Sequence, residues 1–254
     1  MLAIERRNLI LQKLQTERRV VVSSLALLYE VSEETIRRDL EKMEKEGLVV
    51  KSYGGAVINE NNNLDLPFNV RKTRNVAGKQ RMADIAAQMI HEGENIFLDA
   101  SSTALAIARA IKHKKDITII TNSLEIAVEM ADVSNIRVIS TGGEILGSSL
   151  ALVGQLTDKA IRSYFTDKAF ISCKAIDTEA GFTDSDERHA QNKRSMLEGA
   201  RSKVLVVDHT KFGKFSFAKI GDWKDIDTII TDAKPDAFWL ERLAANHIDC
   251  IYPE

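Results

Sequence analysis

The sequence is poor in cysteine, in charge of one sign and in long apolar runs, and each absence excludes a class. Its 254 residues hold two cysteines, Cys173 and Cys250, with no CxxC pair. That spacing rules out a disulfide framework and the familiar zinc sites, and it predicts two buried thiols in a reducing compartment. No apolar stretch approaches the roughly 18 residues that a bilayer-spanning helix needs. The first residues run straight into a helical pattern, with no apolar core and cleavage site of a secretory signal. No membrane partner is expected, and a cytoplasmic location is. The formal net charge is −2, so any contact with a polyanion has to come from a local patch. His91, His113, His189, His209 and His247 are scattered without ligand spacing, and no nucleophile triad stands beside them. No metal or cofactor is therefore expected. No internal repeat is visible.

What is present is an ordinary globular balance, 44% apolar and 28% charged, on a length that suits a small domain joined to a larger one. Ile4, Leu9, Ile10, Leu11 and Leu14 line one side of a first helix. Val20-Val21-Val22 reads as extended, and Ser23 as the cap of a short helix that packs through Leu25, Leu28 and Val31. Ser32 caps a second helix that runs to Glu46, where Gly47 ends it. Leu48–Lys51 and Tyr53–Ile58 then form two short strands around a tight bend. Asn59 to Asp65 is polar and aperiodic, which places a domain boundary there. The division expected is a small domain over 1–58, a linker over 59–75 and an α/β domain over 76–254.

In the helix that follows Ser32, Ile36, Leu40 and Met43 point one way, and Glu34, Arg38, Glu41 and Lys45 the other. Thr35, Arg37 and Lys42 lie on the flanks. Such a face can enter a DNA major groove. Arg38 and Arg37 can pair with a guanine edge or grip phosphates, and Thr35 can touch a thymine methyl. Lys51 and Tyr53 can contact the backbone as a wing. Charge alone does not separate this from a solvated charged face: residues 1–58 hold ten Lys/Arg against nine Asp/Glu.

From about Pro67, short β-branched runs alternate with amphipathic helices. Strands are predicted at 95–98, 117–120, 137–140, 169–172, 204–207 and 228–231. Helices are predicted at 79–90, 103–111, 124–130, 155–163, 188–200 and 237–245. This alternation implies a Rossmann-like, mainly parallel sheet with helices on both faces. Three loops leave the C-terminal ends of these strands, where α/β sheets bind ligands. They are Asp99–Thr103, Thr121–Ser123 and Thr141–Glu144. The first offers hydroxyls and N–H groups at a helix start, which suits a phosphate as well as simple capping. The Gly142-Gly143 pair allows close approach of backbone to a ligand. Lys211, after the 204–207 strand, reads equally as a phosphate partner or as an exposed lysine.

Residues 4–58 resemble the DNA-binding domain of the DeoR family of bacterial regulators. The matching residues are Glu5-Arg6, Val31-Ser32, Thr35-Ile36-Arg37-Arg38-Asp39-Leu40, Gly47 and Tyr53-Gly54-Gly55-Ala56. Residues 76–252 resemble that family's sensor domain, related in fold to ribose-5-phosphate isomerase, glucosamine-6-phosphate deaminase and CoA transferases. There the matches are Asp99, Ser102-Thr103, Thr121-Asn122, Gly142-Gly143, Gly154, Asp167, Ile176-Asp177, Gly181, Lys193-Arg194, Asp208 and Lys211-Phe212-Gly213. Ser101 stands where the family often has Gly. The resemblance implies a winged helix-turn-helix touching double-stranded DNA through Thr35, Arg37 and Arg38, with Ser32, Lys42, Lys51 and Tyr53 beside them. It implies a phosphorylated sugar as effector, held by Asp99, Ser101, Ser102, Thr103, Asn122, Gly142, Gly143, Asp177, Lys193 and Lys211. Asp39 is assigned a structural role, orienting an arginine. The expected protein is a homo-oligomeric regulator, usually a repressor, and not an enzyme. The alternatives are a sugar-phosphate isomerase or deaminase with an appended domain, and an interaction protein whose helix-turn-helix is a dimer contact.

Overall fold

The first helix, α1 (Ala3–Glu17), turns Ile10, Leu11 and Leu14 inward and stops at Arg18, whose left-handed backbone lets its N–H return to the Leu14 carbonyl. The computed structural model describes residues 2–45, 48–58 and 66–253, and the chain divides into two units, 1–66 and 67–254. The expected helix end at Glu46-Gly47 and the linker over 59–65 lie outside the described residues. After α1 come β1 (Arg19–Val21), α2 (Val22–Tyr29), α3 (Glu33–Lys45), β2 (Val49–Ser52) and β3 (Gly55–Ile58). The three strands form an antiparallel sheet in the order β1-β3-β2. Ile36, Leu40 and Met43 of α3 are buried, with Leu25, Val20, Val49 and Ala56 also in the interior.

Two local details differ from the sequence reading. Val22 opens α2 rather than ending the strand, and no side chain caps that helix, so Ser23 is not its cap. Leu28 is exposed while Leu25 is buried, and Val31 is half-buried. An eight-residue helix presents too little surface to bury residues on more than one stripe.

The second unit contains α4 (Phe68–Thr73), α5 (Val76–Met89), β4 (Asn95–Leu98), α6 (Ser102–Ala110), β5 (Ile117–Thr121), α7 (Leu124–Met130), β6 (Ile136–Ser140), β7 (Glu144–Leu146), β8 (Ala151–Val153), α8 (Gln155–Arg162) and β9 (Thr166–Ile171). Then follow β10 (Ala175–Asp177), β11 (Gly181–Asp184), α9 (Glu187–Glu198), β12 (Ala200–Val206), β13 (Ala218–Gly221), β14 (Thr228–Ile230), α10 (Ala237–Ala245) and β15 (Asp249–Ile251). Seven strands make one parallel sheet in the order β15-β14-β12-β9-β4-β5-β6. Period-two alternation divides its side chains between two cores. Ile96, Leu98, Val204 and Val206 join the core that contains α5, α6 and α7 residues. Phe97, Leu205 and Val207 join the one that contains α8, α9 and α10 residues. Central strands buried on both faces read as continuous apolar runs, so six of the seven are legible in the sequence. The seventh, β15, is a three-residue, partly exposed edge strand that the sequence reading does not predict.

The β7–β8 hairpin and the antiparallel sheet β10-β11-β13 were not anticipated. Their strands are three or four residues long and lack a run of alternation. Residues 68–73, inside the expected linker stretch, form α4, and Phe68 is buried in the first of the two cores. One aromatic side chain gives that short segment enough apolar surface to dock.

Candidate functional site

On α3, Ser32 Oγ accepts from Thr35 N at 3.2 Å and shares a 2.8 Å bond with Thr35 Oγ1, so the cap and the second candidate are joined. Thr35, Arg38 and Lys42 follow the spacing of one helix face, and Arg37 lies to its side. Both arginines are exposed and rest on carboxylates one turn back, Arg37 on Glu33 at 2.5 Å and Arg38 on Glu34 at 3.2 Å. Exposed pairs of this kind contribute only about 0–1 kcal/mol, so either guanidinium can be transferred to a base edge or phosphate at little cost. Lys51 reaches Glu41 at 3.3 Å, while its N–H is held by Glu44 at 2.9 Å. Tyr53 is fully exposed beside Gly54, whose φ of 74° makes the hairpin bend. The buried side of α3 carries Asp39. Its carboxylate takes Arg6 at 2.5 Å and Arg7 at 3.4 Å, which ties α3 to α1. Asp39 and Arg6 are both buried, so the expected structural part of Asp39 has its arginine.

In the second unit the strand order reverses direction at β4, with β5 and β6 to one side and β9 to the other. Ligands of open α/β sheets bind beyond the C-terminal ends of strands at such a point. Asp99 sits at the end of β4, fully buried. It accepts from Ser101 N at 3.2 Å and, across the switch point, from Ser172 N at 3.0 Å. Ser101 caps α6 by accepting from Ala104 N at 3.0 Å, a bond that Gly at this position could not make. Ser102 and Thr103 then open the helix, both buried. Lys193 of α9 reaches Asp99 at 3.3 Å and Asp184 at 2.5 Å. Burial alone pushes the Lys193 ammonium down, and the two carboxylates more than offset it, so it is held above its ordinary value. Burial pushes Asp184 up, and Lys193 with His189 reverses that, leaving it below the usual carboxylate range.

Asn122, at the end of β5, donates to the Leu152 carbonyl at 2.9 Å, which also receives Asn192 at 3.1 Å. The buried Asn122 Oδ1 has no partner among the described residues. An orphaned acceptor at 2% exposure is costly unless something else supplies a donor. Gly142 and Gly143 follow β6 with φ of 66° and 120°. The Gly142 carbonyl accepts from Thr157 Oγ1 at 2.7 Å, and a Cβ on Gly143 would lie 2.0 Å from that same oxygen. Lys211 sits in a short turn after β12 and has an electrostatic influence on buried Cys173, as Lys193 does. Burial nevertheless pushes that thiol up to about 12.

The chain matches the model of the DeoR-like helix-turn-helix domain over residues 6–62 and that of the DeoR C terminal sensor domain over 74–233. It belongs to the DeoR family. Relatives align along almost the whole length. An uncharacterized HTH-type transcriptional regulator, YulB, of Bacillus subtilis is 38% identical over 93% of this chain and 91% of its own. A putative aga operon transcriptional repressor of Escherichia coli O157:H7 is 33% identical over 97% and 93%. The glycerol-3-phosphate regulon repressor of Escherichia coli K12 is 29% identical over 96% of each chain. Among solved structures, part of the chain is similar to ribose 5-phosphate isomerase A of Methanocaldococcus jannaschii, with TM-score 0.40, 18% identity, and coverage of 54% and 55%. As a DeoR-family member the chain is a DNA-binding transcriptional regulator, and its relatives carry the names of regulators rather than of enzymes.

Against that family frame the sensor residues fall into three sets. Asp99, Ser101 and Lys193 are joined by direct bonds, and Asn122 connects to the neighbour of Lys193 through one carbonyl. Ser102 and Thr103 open α6, Gly142 and Gly143 follow β6, and Lys211 lies in the turn after β12. Asp177 stands apart: its carboxylate closes its own hairpin by accepting from Glu179 N and Ala180 N, and those bonds hold it below the usual range. Asp184, His189 and Asn192 were not singled out. His189, Asn192 and Lys193 follow helical spacing and are all buried, His189 bonding Ser149 Oγ at 2.9 Å. A polar stripe on a helix that otherwise buries Ala190, Met196 and Leu197 was the available signal.

Proposed function

We propose that this regulator represses a carbohydrate-utilisation operon and is controlled by a phosphorylated sugar bound beyond the C-terminal ends of β4, β5 and β9. The observation that carries this reading is the buried polar cluster at the switch point, where α6 begins, together with the Asn122 Oδ1, which has no partner among the described residues. The N-terminal turn of α6, with Ser102 and Thr103, suits a phosphate, since free N–H groups and the helix dipole both favour an anion. Lys211 adds positive charge from the loop after β12. Asp99, Asp184 and Asn122 suit the hydroxyls of the same molecule, a carboxylate being an acceptor only. The relative named for a glycerol-3-phosphate regulon agrees with a small phosphorylated polyol or sugar.

An isomerase or deaminase reading is the weaker one. A lysine held charged between two carboxylates is a poor base and a poor amine nucleophile. The working unit is at least a dimer, because two recognition helices reading two half-sites require two-fold symmetry. Ligand then alters operator affinity by the difference in its own affinity for the two states. The chain acts in the cytoplasm; among its described residues no helix is long and apolar enough to cross a membrane.

The test is selection of genomic fragments by the full-length chain at near-physiological salt, beside an Arg38→Ala control. The selected fragments are then bound with and without a panel of sugar phosphates. Enrichment of a few sites that the control loses, released by one of the panel, supports the reading. Equal enrichment by the control removes the recognition helix from its part, and indifference to every sugar phosphate removes the effector.

A further inference from the structure

The chain passes into the second unit at Pro67 and reaches α5 through a segment, 67–75, that is fastened to the loops around the candidate effector site. Phe68 N donates to the Ser148 carbonyl at 2.8 Å, in the loop of the β7–β8 hairpin. Buried Lys79 donates from Nζ to the carbonyls of Arg71 at 2.5 Å and Arg74 at 2.6 Å. Asn75 then takes a left-handed backbone, φ 44°, and its amide bonds in two directions. Its Oδ1 accepts from Gly78 N at 3.3 Å, and its Nδ2 donates to Asp232 Oδ2 at 2.8 Å. Asp232 follows β14 and is buried. Its Oδ1 accepts from the backbone N–H of His209 at 2.8 Å and lies 3.1 Å from that ring's Nδ1. His209 opens the turn His209–Lys211, which carries Lys211. Residue 78 has to be Gly for this approach, because a Cβ there would lie 2.6 Å from Asp232 Oδ2.

We propose that Asp232 is the positioning residue through which an occupied effector site acts on the segment leading to the DNA-binding unit. The proposal rests on the sugar-phosphate reading of the site. A left-handed backbone outside glycine is costly and persists where its surroundings hold it. Asn75 is held by its own cap bond to Gly78 N and by the Asp232 carboxylate, and the other donors to that carboxylate belong to the turn that carries Lys211. A phosphate that draws Lys211 inward moves this turn, and His209 with it. Asp232 then follows the turn and releases Asn75, so that residue has two states, held and free. Coupling between distant sites needs such an element, biased by both.

Two substitutions break the link without touching the candidate ligand contacts, one in the segment and one at the carboxylate. Asn75→Gly removes the amide and keeps the left-handed backbone accessible. Asp232→Ala removes the carboxylate that receives both the Asn75 amide and the His209 N–H, and leaves no unpaired charge behind. Full-length wild type, both variants and the double variant are titrated with a genomic fragment selected by the wild type. Each titration is run with and without glucose 6-phosphate, fructose 6-phosphate and glycerol 3-phosphate, and calorimetry measures binding of the same three compounds. The expected result is ligand binding within about twofold of wild type, while the ligand-induced change in fragment affinity, of order 5–150-fold for an allosteric pair, falls toward one. The double variant should lose no more than either single, as members of one chain of contacts do. Variants that bind ligand and respond as wild type does overturn the proposal and leave the sugar-phosphate reading intact. A wild type that binds none of the three compounds, and whose fragment affinity none of them changes, overturns both.

Discussion

Replacing Lys193 by Met should destabilise the second unit and reverse the way its stability depends on pH. Lys193 lies between Asp184 at 2.5 Å and Asp99 at 3.3 Å, with side-chain exposures of 9% or less for all three. Removing one partner of a buried ion pair costs about 3–5 kcal/mol, because a charge is left without compensation. For a unit of this size that amounts to a fall in midpoint of roughly 6–20 °C. Both tryptophans, Trp223 and Trp239, are buried in the second unit, so their fluorescence reports its unfolding without the first. The pH dependence is the sharper readout. In wild type the folded pKa of Asp184 lies below its unfolded value. Its contribution is therefore present above the ordinary carboxylate pKa of about 4 and is lost as pH falls through the folded value. Without Lys193, burial acts on Asp184 with less opposition and raises its folded pKa above the unfolded one. The folded state then binds more protons than the unfolded state between those two values, so stability falls as pH rises. The deficit relative to wild type should be smallest near pH 5 and grow by up to about 1.4 kcal/mol per pH unit toward neutrality. Urea melts of the full chain at pH 5, 6 and 7 test this. A loss below about 1 kcal/mol, or one that is the same at every pH, would refute the argument that Lys193 is there to hold two buried carboxylates.

Three further outcomes follow from the same geometry. Arg38→Ala should lower affinity for a selected site by about 1–3 kcal/mol and relax preference at one position, while Lys51→Ala should weaken all sequences alike and reduce the salt slope by about one; competition binding at two salt concentrations separates them. Asp39→Ala leaves Arg6 buried without its partner, so the first unit should lose about 3–5 kcal/mol and become protease-sensitive, with the tryptophan transition unmoved. Gly143→Ala has to fit a Cβ 2.0 Å from Thr157 Oγ1 and 2.7 Å from the Val153 carbonyl at φ 120°, whereas Gly142→Ala meets open space at φ 66°. The first should abolish the folded loop and ligand binding together; the second should cost about 1–2 kcal/mol, and equal losses would contradict the packing described.

What the sequence determined by itself is whatever rests on short-range periodicity. The apolar runs at Asn95–Leu98 and Val204–Val206 are legible because both faces of a central parallel strand are buried. The α3 helix is legible because Ile36, Leu40 and Met43 repeat at its own period, with Ser32 three residues before Thr35. The loops carrying Asp99, Asn122 and Gly142 could be located because strand ends mark them. Tertiary structure decided which charges meet. Asp99, Asp184 and Lys193 are spread over 95 positions of chain, and nothing local to any of them distinguishes a buried partner from a solvated one. Asp177 carries the same side chain and closes a turn instead, because the backbone N–H groups two and three residues on reach it before anything else does. The clamp of Asn75 by Asp232 joins groups 157 residues apart. Periodicity extends over a few turns of one element, whereas a buried charge is stabilised by whatever the fold brings within about 3 Å of it.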